Sequence, residues 1–245
     1  MVTKPKTKNI NSNNSEIWDQ LYKSYEKGKP IGISYPTEAL VIFVSNLRKG
    51  KDVVQYFLDA GEEHSVKTGF SGKALEMGFG STANLKMLKE KGFDVYGVEV
   101  SKEAVKRGTE GGFKNLHLWN PKDDFPFESE SFDVVVGLQC IYYNTNFAAF
   151  EKKLHKIMKP DAQFIFSFFS RKHSYMGYTD FVEPGLVRFN NSHPNKRLVG
   201  CTLLSPPDED ALRKLFPSFK DVRVFTTESN QTPLFESWWY VTGRK

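Results

Sequence analysis

The sequence predicts an α/β protein: a three-layer sandwich with a mostly parallel sheet of about seven strands, an antiparallel pair of C-terminal strands and additional N-terminal helices. Strand-like and helix-like segments alternate between residues 72 and 169, and a glycine turn joins the first strand to its helix. Only a few residues separate the last two strand-like segments. That distance is too short for a helical crossover, so this pair is predicted to be antiparallel.

Helical patterns precede the first strand. Residues 1–14 are polar and predict a disordered tail, whereas residues 15–70 predict a helical cap. The apolar spacing in the cap predicts three helices, at 15–27, 37–49 and 52–61. Three aromatic side chains from this region form a candidate lid over a binding site: Trp18, Tyr22 and Tyr35.

Residues 72–169 predict the ligand-binding core. Apolar and β-branched runs predict its strands at 73–78, 94–100, 115–119, 131–138 and 162–170. Ser81 or Thr82 is the expected cap of the first core helix and Ser101 that of the second, and the apolar spacing over 146–158 predicts the third.

The alternation of strand and helix stops after the fifth strand. Residues 171–204 follow no regular pattern and predict an irregular insertion that builds a pocket for a second ligand. Residues 205–245 predict a closing helix, from Ser205 through Phe216, followed by two strands. The whole of 15–245 is therefore expected to form a single domain.

Composition excludes several classes of protein. The formal charge is +5, but Lys4, Lys6 and Lys8 with the pair 244–245 account for it, so a nucleic acid partner is not favoured. No apolar run is long enough to span a membrane, and residues 1–14 do not resemble a secretory signal. The two cysteines lack metal-ligand or disulfide spacing, so we expect no metal site and a cytoplasmic protein.

The turn after the first strand raises a question of charge. Gly78 and Gly80 begin a G-x-G-x-x-G/A pattern, and Glu99 ends the second strand, where it is placed to hold the hydroxyls of an adenosine ribose. Both features suit any adenosine cofactor. Glu76, just before the turn, distinguishes among them: at ~4 Å from a pyrophosphate it costs on the order of 4 kcal/mol at an effective dielectric near 20. A cationic ligand reverses that sign, and S-adenosylmethionine carries both a sulfonium and an ammonium.

At this point the sequence resembles the class I S-adenosylmethionine-dependent methyltransferases, a Rossmann-like superfamily. Their first motif is an acid followed by x-G-x-G-x-G, which matches 76–82 with Thr82 in place of the third glycine and Phe79 in place of a small residue. The acid of their second strand matches Glu99, and their fourth-strand region matches 125–135. The resemblance covers about 72–169 closely and 205–243 by pattern.

The resemblance implies S-adenosyl-L-methionine as cofactor, S-adenosyl-L-homocysteine as product, and a set of cofactor-binding positions. These are Glu76, Gly78, Phe79, Gly80, Glu99, Val100, Trp119, Asn120 and Gln139. The family acid that often meets the adenine after the third strand is absent; Trp119 and Asn120 stand there instead.

The acceptor of the methyl group is expected beyond the fourth and fifth strands. Tyr143, Arg171 and Arg188 are candidate acceptor-binding residues, and Tyr142 and His173 are candidate bases. The two arginines suit a phosphate or carboxylate. The expected acceptor is therefore a small metabolite or sugar-type molecule, anionic if these arginines face it, methylated on oxygen or nitrogen.

Two alternatives stay open. An NAD(P)-dependent oxidoreductase shares the glycine turn, although Glu76 and the antiparallel ending disfavour it. A protein that binds S-adenosylmethionine without transferring its methyl group is the other, because Thr82 departs from the family motif.

Overall fold

The computed structural model describes residues 10–24, 35–47, 72–230 and 234–245. Within these ranges the strands are β1 (Lys73–Met77), β2 (Asp94–Glu99), β3 (Leu116–Leu118), β4 (Phe132–Gly137), β5 (Met158–Phe169), β6 (Thr179–Glu183), β7 (Leu186–Phe189), β8 (Thr202–Leu204), β9 (Lys220–Ser229) and β10 (Glu236–Arg244). The helices are α1 (Ile10–Lys23), α2 (Glu38–Leu47), α3 (Ala83–Glu90), α4 (Lys102–Glu110), α5 (Phe147–Ile157) and α6 (Glu209–Arg213). The helix predicted at 52–61 lies outside the described residues.

The main sheet has the order β3-β2-β1-β4-β5-β10-β9. Neighbours from β3 to β5 are parallel, whereas β10 runs antiparallel to both β5 and β9. The predicted α/β sheet with an antiparallel ending is thus confirmed. The strand order reverses between β1 and β4, so a crevice opens at the carboxyl ends of these strands.

The central strands are apolar because both of their faces are covered. Leu75, Val135 and Phe164, from β1, β4 and β5, are fully buried. Phe216, just after α6, stacks on Phe164 with ring centroids 4.9 Å apart. This packing makes the centre of the sheet a rigid platform for the loops at its carboxyl edge.

The N-terminal helix is longer than the sequence predicts. α1 begins at Ile10, so residues 10–14 are helical where a disordered tail was expected. Extending an existing helix by one turn costs much less than nucleating a new one. Further along α1, Asp19 Oδ1 accepts hydrogen bonds from Ser101 Oγ (2.9 Å) and from the backbone N–H of Glu103 (3.2 Å). α1 is thereby fixed at the start of α4, beside the end of β2.

The two capping predictions have different outcomes. Ser101 caps α4 as predicted, accepting from the backbone N–H of Ala104. Thr82 occupies the N-cap position of α3, but its side chain makes no capping hydrogen bond. The capping prediction for Thr82 is wrong because its φ of 63° is left-handed, whereas a capping residue has an extended backbone. Thr82 instead holds the conformation that a glycine would adopt most easily, at a cost of about 1–3 kcal/mol.

Residues 171–204 are more regular than the sequence predicts. They contain a second, antiparallel sheet with the order β6-β7-β8. Pro184 and Gly185, which has a φ of 82°, form the turn between β6 and β7. The prediction of an irregular segment is wrong because these strands are short and reach regularity only by pairing with one another.

The predicted helix from Ser205 through Phe216 is also too long. α6 covers only Glu209–Arg213, and Asp208 caps it by accepting from the backbone N–H of Ala211 (2.7 Å). The backbone N–H of Ser205 is committed elsewhere, to the carbonyl of Gly185 (2.7 Å). Across the described part of the chain, no helix has both the length and the apolar content required to cross a bilayer.

Candidate active site

Two adjoining hollows lie at the carboxyl edge of the sheet, where the strand order reverses. The β2-side hollow, of about 810 Å³, is lined around the ends of β2 and β3 and the loop after β4; its lining includes Val98, Glu99, Val100, Trp119, Pro121, Cys140, Ile141, Tyr143, Asn144 and Phe150. The β1-side hollow, of about 830 Å³, is lined by the glycine turn and the N-terminal helices; its lining includes Leu21, Tyr35, Thr37, Glu76, Phe79, Gly80, Ala83, Asn84 and Leu138. Four residues line both hollows: Trp18, Tyr22, Gly78 and Gln139.

The glycine turn is packed from both sides. Gly78 has a φ of 62°, and a Cβ there would lie 2.6 Å from Cβ of Cys140 in the loop after β4. Gly80 has a φ of 44°, and a Cβ there would lie 2.5 Å from the hydroxyl oxygen of Tyr22 in α1. Only glycine fits both positions, and the backbone of the turn is therefore exposed to the hollows without side chains in the way.

Glu76, at the end of β1, is a buried acid whose two oxygens differ in their hydrogen bonds to the described residues. Its side chain is 2 % exposed, and Oε1 accepts a hydrogen bond from Nδ2 of Asn84 (2.8 Å). Oε2 has no hydrogen-bond partner among the described residues. Burial raises the pKa of Glu76 to about 8; hydrogen bonds from the Asn84 amide and the Leu85 backbone N–H oppose the rise, and the nearby Glu99 carboxylate adds to it. A cation in the β1-side hollow would satisfy this carboxylate.

Glu99, at the end of β2, is equally enclosed but well supplied with donors. Oε1 accepts from the backbone N–H groups of Val100 (2.8 Å) and Ser101 (3.2 Å), and Oε2 accepts from that of Gly80 (3.3 Å). Burial raises the pKa of Glu99, and these three N–H groups lower it. The carboxylate also lines the β2-side hollow, where it can accept from the hydroxyls of a sugar.

Phe79, between the two glycines of the turn, packs its ring against β2. It is buried, and its ring covers the position that a Cβ on Gly97 of β2 would occupy, at 2.6 Å. The glycine in β2 therefore compensates for the large residue in the turn. Val100, which the sequence analysis names as a cofactor-binding candidate, lines the β2-side hollow.

Trp119 and Asn120 occupy different environments. Trp119 is buried, lines the β2-side hollow, stacks on Phe125 with ring centroids 4.5 Å apart, and donates from Nε1 to the carbonyl of Asp124 (3.2 Å). Asn120 is exposed and does not line either hollow; its Oδ1 accepts from the backbone N–H of Lys122 (3.1 Å). Of the two residues, Trp119 borders a hollow and Asn120 does not.

The loop after β4 is rigid at Gln139. This residue has a φ of 56°; its backbone N–H donates to Ser167 Oγ (2.6 Å), and its carbonyl accepts from the hydroxyl of Tyr142 (2.8 Å). The Gln139 side chain is thereby held where both hollows meet. Tyr143 lines the β2-side hollow and packs edge-on against Trp18, with ring centroids 5.4 Å apart.

The candidate bases Tyr142 and His173 do not line either hollow. Tyr142 is buried, and burial raises the pKa of its hydroxyl well above the usual value. His173 is buried against Phe169 and Trp238, and its Nδ1 accepts from the backbone N–H of Tyr175 (3.0 Å). Burial lowers the pKa of His173 to about 4, so the ring is neutral at physiological pH.

The two candidate acceptor-binding arginines also lie away from the hollows. Arg171 donates from Nε to the carbonyl of Pro206 (3.1 Å) and from Nη2 to that of Ser205 (2.9 Å). Arg188, on β7, donates from Nε to Thr202 Oγ1 of β8 (3.2 Å). Both guanidinium groups therefore support the second sheet and its junction with α6.

Two polar residues at the site escaped the sequence analysis. Asn84 in α3 hydrogen-bonds to Glu76, and Asn144 lines the β2-side hollow with Nδ2 buried and without a hydrogen-bond partner in the described part of the chain. Neither lies in a recognised motif. The signal for Asn84 was its position in the first turn of the helix that follows the glycine turn, eight residues after Glu76.

The central part of the chain is similar in sequence to known methyltransferases. A family model for a methyltransferase domain matches residues 75–166, from β1 through β5. A demethylmenaquinone methyltransferase from Tropheryma whipplei is 23 % identical over 129 residues, which are 50 % of this chain and 54 % of that protein. The chain thus spans about half the length of the curated relatives it matches.

Solved structures share the fold over a larger part of the chain. An S-adenosylmethionine-dependent methyltransferase from Methanosarcina mazei has a TM-score of 0.56 at 19 % identity, covering 71 % of this chain and 92 % of its own. A methyltransferase from Thermotoga maritima, described as a possible histamine N-methyltransferase, has a TM-score of 0.53 at 14 % identity and covers 96 % of both chains. Residues 75–166 thus match a methyltransferase domain, and the strand order together with these similarities shows that the chain has the fold shared by S-adenosylmethionine-dependent methyltransferases.

Proposed function

We propose that this protein transfers the methyl group of S-adenosylmethionine to a small, uncharged acceptor with an aromatic or apolar body. The observation that carries the proposal is the pair of buried carboxylates at the ends of β1 and β2. Glu99 is supplied with backbone donors and faces the β2-side hollow, whereas Glu76 keeps an oxygen without a partner among the described residues. A ligand with a sugar and a cationic amino-acid end matches this pair, and a pyrophosphate does not.

The residues around the hollows fit such a donor. Glu99 would accept from the ribose hydroxyls, Trp119 would contact the adenine, and the backbone at Gly78 and Gly80 admits the ligand closely. Glu76 would hold the ammonium group. S-adenosylmethionine, when bound, supplies a methyl group on a positively charged sulfur, which is already activated for displacement.

The protein's contribution to the transfer is alignment and exclusion of water. A nucleophilic atom of the acceptor bonds to the methyl carbon as the carbon–sulfur bond breaks, and the electron pair of that bond stays on sulfur. Holding the two reactants in line contributes roughly 7–11 kcal/mol. Trp18 and Tyr22 of α1 cover both hollows and are placed to exclude water during this step.

The acceptor class follows from the side chains that remain near the donor. Two of the four residues shared by the hollows are aromatic, Trp18 and Tyr22; Tyr35 adds a ring to the β1-side hollow and Tyr143 one to the β2-side hollow. No lysine or arginine lines either hollow in the ranges that the structure describes, and Arg171 and Arg188 bond elsewhere. These features favour a neutral, partly aromatic acceptor over an anionic one. The relative named for a demethylmenaquinone acceptor supports a small-molecule substrate.

The proposal assigns no general base. Tyr142 and His173 lie outside the lining of the hollows, so the acceptor atom is expected to lose its proton without help or to arrive as a neutral amine. An acidic hydroxyl on an aromatic ring or a neutral nitrogen meets this requirement.

Calorimetric titration with S-adenosylhomocysteine and with NADH tests the choice of cofactor. We expect micromolar or tighter binding of the former and none of the latter; the reverse result would contradict the proposal. Consumption of S-adenosylmethionine with matched panels of neutral aromatic and anionic acceptors then tests the acceptor class. Turnover confined to the anionic panel would refute the neutral-acceptor assignment while leaving the methyltransferase assignment intact.

A further inference from the structure

A short chain of hydrogen bonds joins the N-terminal cap to the acid of the glycine turn. The backbone N–H and Oγ1 of Thr37, which immediately precedes α2, lie 3.2 Å and 3.4 Å from Oδ1 of Asn84. On the other side of the same amide, Nδ2 of Asn84 donates to Oε1 of Glu76 at 2.8 Å. These contacts span 47 and 8 positions of sequence, so only the folded chain brings them together.

The orientation of the Asn84 amide is determined by its neighbours. A backbone N–H can only donate, so the atom facing Thr37 has to be the amide oxygen. The amide nitrogen therefore faces Glu76, and Oε1 of that carboxyl acts as an acceptor whether or not the group is ionised. When Glu76 is neutral, its proton consequently resides on Oε2, the atom without a partner in the described structure.

We propose that Asn84 is a positioning residue, which holds Glu76 so that Oε2 is the oxygen that receives the donor's ammonium group, and which couples that contact to the placement of α2. The inference rests on the proposed function, because it concerns the amino-acid end of S-adenosylmethionine. Binding of the amino-acid end of the ligand is then linked to the N-terminal cap, because Thr37 hydrogen-bonds to the same Asn84 side chain that holds Glu76.

The charges around Glu76 give the proposal a measurable signature. The titratable groups that face the same space are Glu99 at the end of β2, Cys140 after β4, and Tyr22 and Tyr35 from the N-terminal region. Burial raises the pKa of Glu76 to about 8 against the hydrogen bonds from Asn84 and the Leu85 backbone N–H, and the Glu99 carboxylate adds to the rise, so the protonated form is favoured. An arriving ammonium reverses this preference, so ligand binding near neutral pH is expected to release a proton from Oε2.

The test compares two ligands that differ only in the amino-acid end. S-adenosylhomocysteine carries the ammonium group, and 5′-methylthioadenosine has the same adenosine and sulfur without it. In Asn84→Leu we expect affinity for the former to fall ~10- to 100-fold, the range for losing a hydrogen bond to a charged group. Affinity for the latter should stay within about 3-fold. The number of protons released on binding S-adenosylhomocysteine, measured in two buffers of different ionisation enthalpy, should differ between Asn84→Leu and the wild type.

Matched variants separate positioning from simple structural support. Asn84→Ala removes the amide without adding bulk and should behave like Asn84→Leu, and Thr37→Val, which keeps the backbone N–H, should weaken S-adenosylhomocysteine binding by no more than ~3-fold. In a Glu76→Gln background, Asn84→Leu should add little, because the residue acts through Glu76.

Three results would overturn the inference: equal weakening of both ligands, no weakening of either, or fully additive losses in the double variant. A wild-type protein that binds neither ligand would instead overturn the proposed function, so the two failures are distinguishable.

Discussion

β1 and β2 each carry a buried glutamate near the carboxyl end, in the same crevice, but the two carboxylates are surrounded by different numbers of hydrogen-bond donors. Glu76 and Glu99 are 2 % and 5 % exposed. Three backbone N–H groups point at Glu99, whereas Glu76 receives the Asn84 amide and the nearby backbone N–H of Leu85, and its Oε2 has no well-formed hydrogen bond in the described residues. The comparison teaches that identity and burial do not define the role of an acid. The hydrogen-bond donors around a buried carboxylate determine whether the protein itself stabilises the negative charge or whether a cationic ligand is required to do so.

The largest effect is expected at the end of β2. Replacing Glu99 with alanine removes the acceptor for three backbone N–H groups and the proposed ribose contact together. We expect affinities for S-adenosylhomocysteine and 5′-methylthioadenosine to fall by at least ~100-fold each, measured by calorimetry. A loss of affinity for S-adenosylhomocysteine alone would contradict the assignment of Glu99 to the ribose, because both ligands carry that sugar.

The next effect is confined to one ligand. Glu76→Gln keeps the size of the side chain and its acceptor for Asn84, but it removes the negative charge. We expect affinity for S-adenosylhomocysteine to fall ~30-fold while that for 5′-methylthioadenosine stays within about 2-fold. Equal losses for both ligands would indicate that Glu76 only supports the turn.

Glu76→Gln should also change how the stability of the protein depends on pH. The pKa of Glu76 is raised from 4.5 to about 8 in the folded protein, so the fold holds a proton that the unfolded chain releases. The associated stabilisation is fully present below pH 4.5 and is lost as the pH rises through about 8. The Tm of the wild type should therefore fall relative to Glu76→Gln by roughly 7–14 °C between pH ~5 and pH ~8. A constant difference in melting temperature would contradict this assignment.

The smallest effect is expected outside the crevice. Arg188 bonds to Thr202 on the second sheet, so Arg188→Glu should change affinity for S-adenosylhomocysteine and turnover of a neutral acceptor by less than about 2-fold. Arg171→Ala is the matched variant at the junction with α6. Loss of turnover with an anionic acceptor in Arg188→Glu would restore the anionic-acceptor hypothesis.

The sequence was a good guide to the core and a poor one to tertiary contacts. The strands carrying Leu75 and Val135 were predictable because parallel strands buried on both faces are continuously apolar. Glu76 and Glu99 were found because each sits at a fixed distance from the glycine turn.

What failed depended on partners that are distant in sequence. The sequence shows that Arg171 is charged, but it does not reveal that its guanidinium group donates to the carbonyls of Ser205 and Pro206. Asn84 escaped notice because its two partners, Thr37 and Glu76, belong to different elements. The short strands of the second sheet were missed because their regularity comes from pairing, although Pro184 and Gly185 signal a turn.

The strand order has a consequence for how the protein is made. β9 leaves the ribosome before β10, yet β10 lies between β9 and β5 in the sheet. Residues 220–229 therefore have no pairing partner in the main sheet until residues 236–244 emerge, and in that interval the nascent chain carries an unpaired strand. Premature stop codons within β10 should consequently yield aggregation-prone products, because they leave the edge of β5 open as well.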